Sequence, residues 1–211
     1  MGHNLDSPPA QTLRGQRAPA RFALLAGRCV IERVRCSEKD RHALFAGRAL
    51  PDADQPQAAR ETAQEEAKSD ALPVVVLDTN VVLDIFYWKD AQSLALSEAL
   101  QMGRMRVVTN AACLEEFADV LSRPAFGLSS EEQIAFLERY AHFCTAVDVD
   151  LAAPVTCRDA DDQKFLDLAY SVAADMLVTK DKLLKKAAKR LARFGVRVCA
   201  PPQAASLLCG N

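Results

Sequence analysis

From Val74 onward, short apolar runs alternate with longer amphipathic stretches. Val74-Val-Val-Leu is continuously apolar and stops at polar Asp78-Thr-Asn, the pattern of a strand buried on both faces that meets a loop. Val81 to Phe86 predicts a short helix, and Ala91 to Met102 a stronger one with Leu94, Leu96, Ala99 and Leu100 as its apolar positions. Arg106-Val-Val predicts a second strand. Asn110 is placed to cap a helix that runs to about Ser122 and ends ahead of Pro124. Ser129 and Glu132 have capping-box spacing and open a helix to about Ala146. A third strand is expected at Val147 to Val149, a helix from Asp159 through Ala173, and a fourth strand at Met176-Leu-Val-Thr. A helix over Lys182 to Arg193 and a fifth strand at Val196-Arg-Val-Cys complete the series. Strands alternating with helices predict an α/β fold, a three-layer α/β/α sandwich on a mainly parallel sheet.

Residues 1–72 have a different texture. Phe22-Ala-Leu-Leu and Cys29 to Val34 have the apolar character of a strand pair. Pro51 to Asp70 is polar and nearly devoid of large apolar residues, so it buries too little surface to offset its ordering entropy. The expectation is an N-terminal extension and linker over 1–72, largely disordered or a frayed helix, followed by one domain over 73–211. The alternative for the extension is an arm that binds RNA or a partner.

Ligands for open α/β sheets bind beyond the carboxyl ends of the strands. Asp78 and Asp181 both fall there, each after an apolar strand. Each also has the position of a helix N-cap, and for Asp78 taken alone capping and function are equally good explanations. A third acidic group, Asp159, Asp161 and Asp162, precedes a helix whose apolar stripe holds Phe165, Leu166 and Ala169. Three residues before Phe165, Asp162 falls on the edge of the buried face. Asp161 points elsewhere and Asp159 is expected to cap. Glu115, Asp119 and Arg123 repeat at four and form a solvated face, whereas Glu116 shares a side with Ala112, Val120 and the flank of Phe117. Glu116 is therefore the functional candidate of the pair.

Hard oxygen donors suit Mg²⁺ or Mn²⁺ better than zinc, and such ions support phosphodiester hydrolysis. The three histidines are too few for a histidine-rich site, and the seven scattered cysteines contain no C-x-x-C pair. Several sit inside apolar runs and read as small core residues of a reducing compartment, and a cytoplasmic location is expected. No apolar run approaches the ~20 residues that span a bilayer. The net charge of −2 gives no global basic signature, so a nucleic acid must be held by a local patch. Lys182, Lys185, Lys186, Lys189, Arg190 and Arg193 line such a patch opposite Leu183, Leu184, Ala187, Ala188 and Leu191. A solvated face is the plain explanation, but Lys182 and Lys185, nearest Asp181, are placed to meet phosphates. No aromatic platform accompanies them, and Tyr87 and Trp88 are expected in the core.

Four strings resemble the PIN-domain family: Val76-Leu-Asp-Thr-Asn-Val-Val-Leu, Leu114-Glu-Glu-Phe-Ala-Asp-Val-Leu-Ser-Arg-Pro, Asp159-Ala-Asp-Asp-Gln-Lys-Phe-Leu-Asp-Leu-Ala and Ala174-Asp-Met-Leu-Val-Thr-Lys-Asp-Lys-Leu-Leu. They stand in the family's order, cover roughly residues 74–200, and are most similar to bacterial toxins of toxin–antitoxin pairs. The resemblance implies an RNA-cleaving endonuclease dependent on Mg²⁺ or Mn²⁺, with Asp78, Glu116, Asp162 and Asp181 as its catalytic and metal-binding acids. It implies supporting roles for Asn80 and Thr179, and it brings in a protein antitoxin and a second copy of the chain as partners. Residues 1–72 lie outside it, although toxins of the family begin close to the first strand. A phosphoryl-accepting signalling domain and a non-catalytic α/β binding module, its acids merely capping helices, remain as alternatives. A nicotinamide enzyme is disfavoured because no G-x-G-x-x-G follows the first strand.

Overall fold

A computed structural model describes residues 22–25, 28–31, 72–148 and 151–209. The expectation of a disordered extension and linker concerns residues that, apart from two short strands, lie outside the described ones. Those strands, β1 (Phe22–Leu25) and β2 (Arg28–Ile31), pair antiparallel where the sequence pattern placed a strand pair.

The remaining strands are β3 (Val74–Leu77), β4 (Arg106–Thr109), β5 (Cys144–Ala146), β6 (Met176–Val178) and β7 (Arg197–Cys199). They form one five-stranded sheet in the order β5-β4-β3-β6-β7, every pair parallel. The helices are α1 (Thr79–Leu83), α2 (Leu94–Gln101), α3 (Ala111–Leu121), α4 (Ser130–His142), α5 (Gln163–Ser171), α6 (Lys182–Lys186), α7 (Ala188–Leu191) and α8 (Pro201–Cys209).

A parallel sheet needs cover on both faces, and alternation along β3 divides the core accordingly. Val75 and Leu77 join Val107, Met176 and Val178 in a cluster completed by Leu96, Leu114, Phe117, Tyr140 and Ala204 from α2, α3, α4 and α8. Val74 and Val76 join Val108 and Leu177 in a second cluster with Phe165, Leu168, Leu184 and Leu191 from α5, α6 and α7. Three layers result, as the sequence pattern predicts. Each fully buried Leu or Phe contributes roughly 1.5–3 kcal/mol to this packing.

Caps at two predicted helix starts are realised. Asn110 Oδ1 accepts the Cys113 N–H (2.9 Å), and Ser129 and Glu132 close their reciprocal box (2.8 and 3.2 Å). Other expectations are corrected. The helix opened by Ser129 ends at His142, and β5 comes three residues before the predicted Val147, because pairing to β4 sets its register at Val107–Cys144. The expected helix over 182–193 is divided, tightening at Ala187 and again at 192–194, and stops where Gly195 takes a left-handed φ of 80°. The predicted helix over 81–86 starts earlier, at Thr79, and continues into a π-helical turn over Asp84–Trp88. Trp88, expected in the core, is 59% exposed, and so is Leu94. The helix α8 had no counterpart in the sequence reading.

The chain runs β3 to β4 to β5 outward on one side, then returns past β3 to add β6 and β7 on the other. The direction of strand order reverses between β3 and β6. At such a switch point the connections leave in opposite directions and open a crevice beyond the strand ends.

Candidate functional site

Asp78 sits at the end of β3. Its N–H donates to the Val178 carbonyl of β6 (3.0 Å), which prolongs the sheet ladder by one bond. Its own carbonyl accepts from Val81 and Val82 (2.9 and 3.1 Å) and so begins α1. The side chain is almost wholly buried, at 1% exposure. Oδ2 accepts the Thr179 hydroxyl at 2.7 Å, while Oδ1 receives a long bond (3.5 Å) from the Asn80 N–H. Burial raises the Asp78 pKa above the usual carboxylate value; the Thr179 and Asn80 bonds pull against this, and the charge of Glu116 adds to it.

Thr179, directly beyond β6, is fully buried. Its N–H donates to the Cys199 carbonyl on β7 (2.9 Å). Its hydroxyl donates to Asp78 and accepts the Asp181 N–H (2.9 Å), so one oxygen joins the two halves of the switch point. Asp181 caps α6 through Oδ1 alone, which accepts the Leu183 and Leu184 N–H groups (2.5 and 2.9 Å). Capping therefore does not preclude a second role, because Oδ2 accepts no hydrogen bond among the described residues.

Glu116 lies on the inner side of α3, its side chain 24% exposed, whereas Glu115 is exposed, as the helical-face reasoning expects. Ala112, expected on the same side, is exposed. Oε2 of Glu116 is 2.5 Å from the ammonium of Lys164.

Asp162 occupies the N-cap position of α5 with no hydrogen bond from its side chain to the helix. Its pKa is pushed up to about 6, first by burial and then by the charges of Asp78, Asp181, Asp159 and Glu116. Three of these charges, those of Asp78, Asp181 and Glu116, come from other segments of the chain. Asp159 does not cap α5, contrary to expectation: it accepts the Asp161 N–H in a local turn (3.1 Å), and the helix begins only at Gln163. Gln163 opens α5. Its side chain accepts the Cys157 N–H (2.7 Å) and donates to the Val155 carbonyl (3.0 Å) and Asp167 (2.8 Å), pinning the preceding loop to α5.

Asn80 is exposed beside Asp78, and Lys182 and Lys185 are exposed on α6. Neither lysine pairs with an acid among the described residues. Three groups near the acids escaped the sequence reading. Lys164 holds Glu116. Lys180 lies between Asp84 (2.7 Å) and Asp90 (2.6 Å), tying the Thr179–Asp181 segment to the π-helical turn after α1. Cys113, which feels the charges of Glu116 and Asp78, has its thiol pushed up to about 12, chiefly by burial. None of these had a local signal, because each pairing joins distant segments.

Among the described residues, no three or more His, Cys, Asp or Glu side chains stand together as a group that could hold a metal ion. The donor chemistry nonetheless fits a hard divalent cation. The acids are oxygen donors, their mutual repulsion is expressed at Asp162, and Asp181 keeps one oxygen outside its hydrogen bonds.

An α/β sheet with acids at its switch point defines a class of open α/β proteins whose chemistry sits at the strand ends. A family model, PIN domain, matches residues 74–183, and the chain belongs to that family. No curated protein matches the sequence closely. PIN domains are in general nucleases that use divalent metal ions and act on nucleic acid. No helix among the described residues is long and apolar enough to cross a membrane.

Proposed function

We propose that the chain is an endoribonuclease dependent on Mg²⁺ or Mn²⁺, with a nuclease domain over 73–211 preceded by an extension over 1–72, and that it acts in the cytoplasm as the toxin of a toxin–antitoxin pair. Asp78, Glu116, Asp162 and Asp181 would hold the ion. The observation that carries the proposal is that the charges of Asp78, Asp181 and Glu116 all bear on Asp162, with Asp78 and Asp181 just beyond β3 and β6. The choice of RNA and of a toxin role rests on the resemblance of the four motif strings. A cognate antitoxin and a second copy of the chain are the protein partners that go with it.

A bound ion would polarise a phosphoryl oxygen and activate water. The chain's own residues supply positioning. Thr179 fixes the Asp78 carboxylate by donating to Oδ2, and the backbone of α6 holds Asp181 by one oxygen. Asn80 supports the turn after Asp78, and Lys182 and Lys185 are the proposed substrate contacts, cationic groups at the start of α6 suited to flanking phosphates.

The test is cleavage of single-stranded RNA by the full-length chain with Mg²⁺, Mn²⁺ or EDTA, beside Asp78→Asn. Metal-dependent cleavage that falls by about 100-fold or more in a folded Asp78→Asn variant is the expected result. Undiminished cleavage by that variant overturns the proposal. A covalent mass gain on Asp78 with a small phosphodonor would favour the phosphoryl-accepting alternative, and neither cleavage nor metal response would favour the binding module.

A further inference from the structure

Lys164 stands two residues beyond Asp162, on the first turn of α5. Its Nζ is 2.5 Å from Glu116 Oε2, and both side chains are largely shielded from water, at 21% and 24% exposure. The same ammonium donates to the Asp161 carbonyl and lies 5.5 Å from the centre of the buried Phe165 ring. Carbonyl, ring and carboxylate hold it from three sides. The other cations nearby are engaged differently: Lys180 serves Asp84 and Asp90, while Lys182 and Lys185 are exposed.

We infer that Lys164 is a built-in counter-cation that occupies Glu116 in the metal-free protein and must leave it before a divalent ion takes that carboxylate. The inference rests on the proposal that Glu116 is a metal ligand. An ammonium this close to Oε2 blocks inner-sphere coordination there and partly neutralises an acid that otherwise repels its neighbours. A divalent ion carries twice the charge and binds several carboxylates at once, so it wins the exchange at sufficient concentration. Lys164 therefore weakens metal affinity while stabilising the empty site. Once displaced, its ammonium would keep the Asp161 carbonyl and the Phe165 ring as anchors and would be free to meet a phosphate. Metal binding then releases a substrate contact, and by linkage a substrate that takes the ammonium tightens the metal.

Calorimetric titration of the full chain with Mn²⁺, without substrate, tests this. Lys164→Met is expected to bind Mn²⁺ about tenfold more tightly than wild type, and to melt lower in EDTA because the acids lose their counter-ion. Lys164→Gln keeps a hydrogen-bond donor without the charge and is expected to follow Lys164→Met, which separates charge from packing. Lys164→Arg keeps the charge and is expected to bind within about twofold of wild type. Metal binding by Lys164→Met where wild type shows none would be the extreme form of the expected result. If wild type binds Mn²⁺ and the neutral variants bind it equally or more weakly, the role of Lys164 is overturned while the metal site stands. If neither wild type nor the neutral variants bind, the metal-site proposal falls and this one with it.

Discussion

Replacing Asp162 with asparagine removes one negative charge from the acidic group without removing a hydrogen bond, because its side chain makes none to α5. Its pKa lies near 6 in the folded protein against a reference of 3.8. Taken at face value, about two pH units correspond to about 3 kcal/mol. The carboxyl is only part-buried, and solvent screening reduces this to about 1 kcal/mol. The sign follows from linkage. A folded-state pKa above the unfolded one means that the native state binds the proton more tightly. Stability from this group is complete below the unfolded value and is lost as pH rises through about 6. At about pH 7.5 the charged Asp162 is therefore a net cost, and Asp162→Asn removes it. In EDTA the variant is expected to be about 1 kcal/mol more stable than wild type at that pH, a rise in Tm of about 2–4 °C. At about pH 3 most of the advantage should vanish, since the folded and the unfolded wild type are then both largely protonated. Excess Mn²⁺ should reverse the order, because wild type alone gains a ligand's stabilisation. Urea or thermal unfolding at the two pH values measures all three. A variant less stable than wild type near pH 7.5 in EDTA, or equally favoured at both pH values, would refute the electrostatic reasoning.

Two further changes probe the junction between β3 and β6. Thr179→Val keeps the shape but strips the donor from Asp78 Oδ2 and the acceptor from the Asp181 N–H. It should cost about 2–3 kcal/mol in urea unfolding, and a loss below about 0.5 kcal/mol would mean that these bonds are replaced by water. The Thr179 bond is the main influence lowering the Asp78 pKa, so its loss should raise that pKa further and move the acid limb of the cleavage profile to higher pH. Asp181→Asn retains an oxygen for the Leu183 and Leu184 N–H groups, whereas Asp181→Ala does not. The alanine variant should lose about 1–2 kcal/mol and the asparagine variant little, while metal-dependent cleavage falls in both. Equal destabilisation of the two would show that the cap does not work through Oδ1.

Near-neighbour physics was readable in the chain. The unbroken apolar run Val74–Leu77 means cover on both faces, and β3 is buried throughout. Asn110, Ser129 and Glu132 serve N–H groups within three residues, so their caps follow from spacing. The contrast between Glu115 and Glu116 follows from helical periodicity alone. Placing Asp78 and Asp181 at strand ends needed only the change from apolar to polar. Asp159 was misjudged by the same kind of reasoning, because an Asx turn and a helix cap look alike over three residues.

Other features depended on which segments meet. Strand order cannot be read from periodicity, since β4 or β6 could flank β3 with the same alternation. Pairing with β6 brings Thr179 to Asp78 across 101 residues of sequence, and packing α5 near α3 brings Lys164 to Glu116. The register of β5 was likewise chosen by β4, against a stronger β-branched signal at Val147 and Val149. Spacing along the chain says which face of an element is buried. Which partner buries it, and which polar groups must then satisfy one another, is decided by the whole set of elements competing for the same sheet.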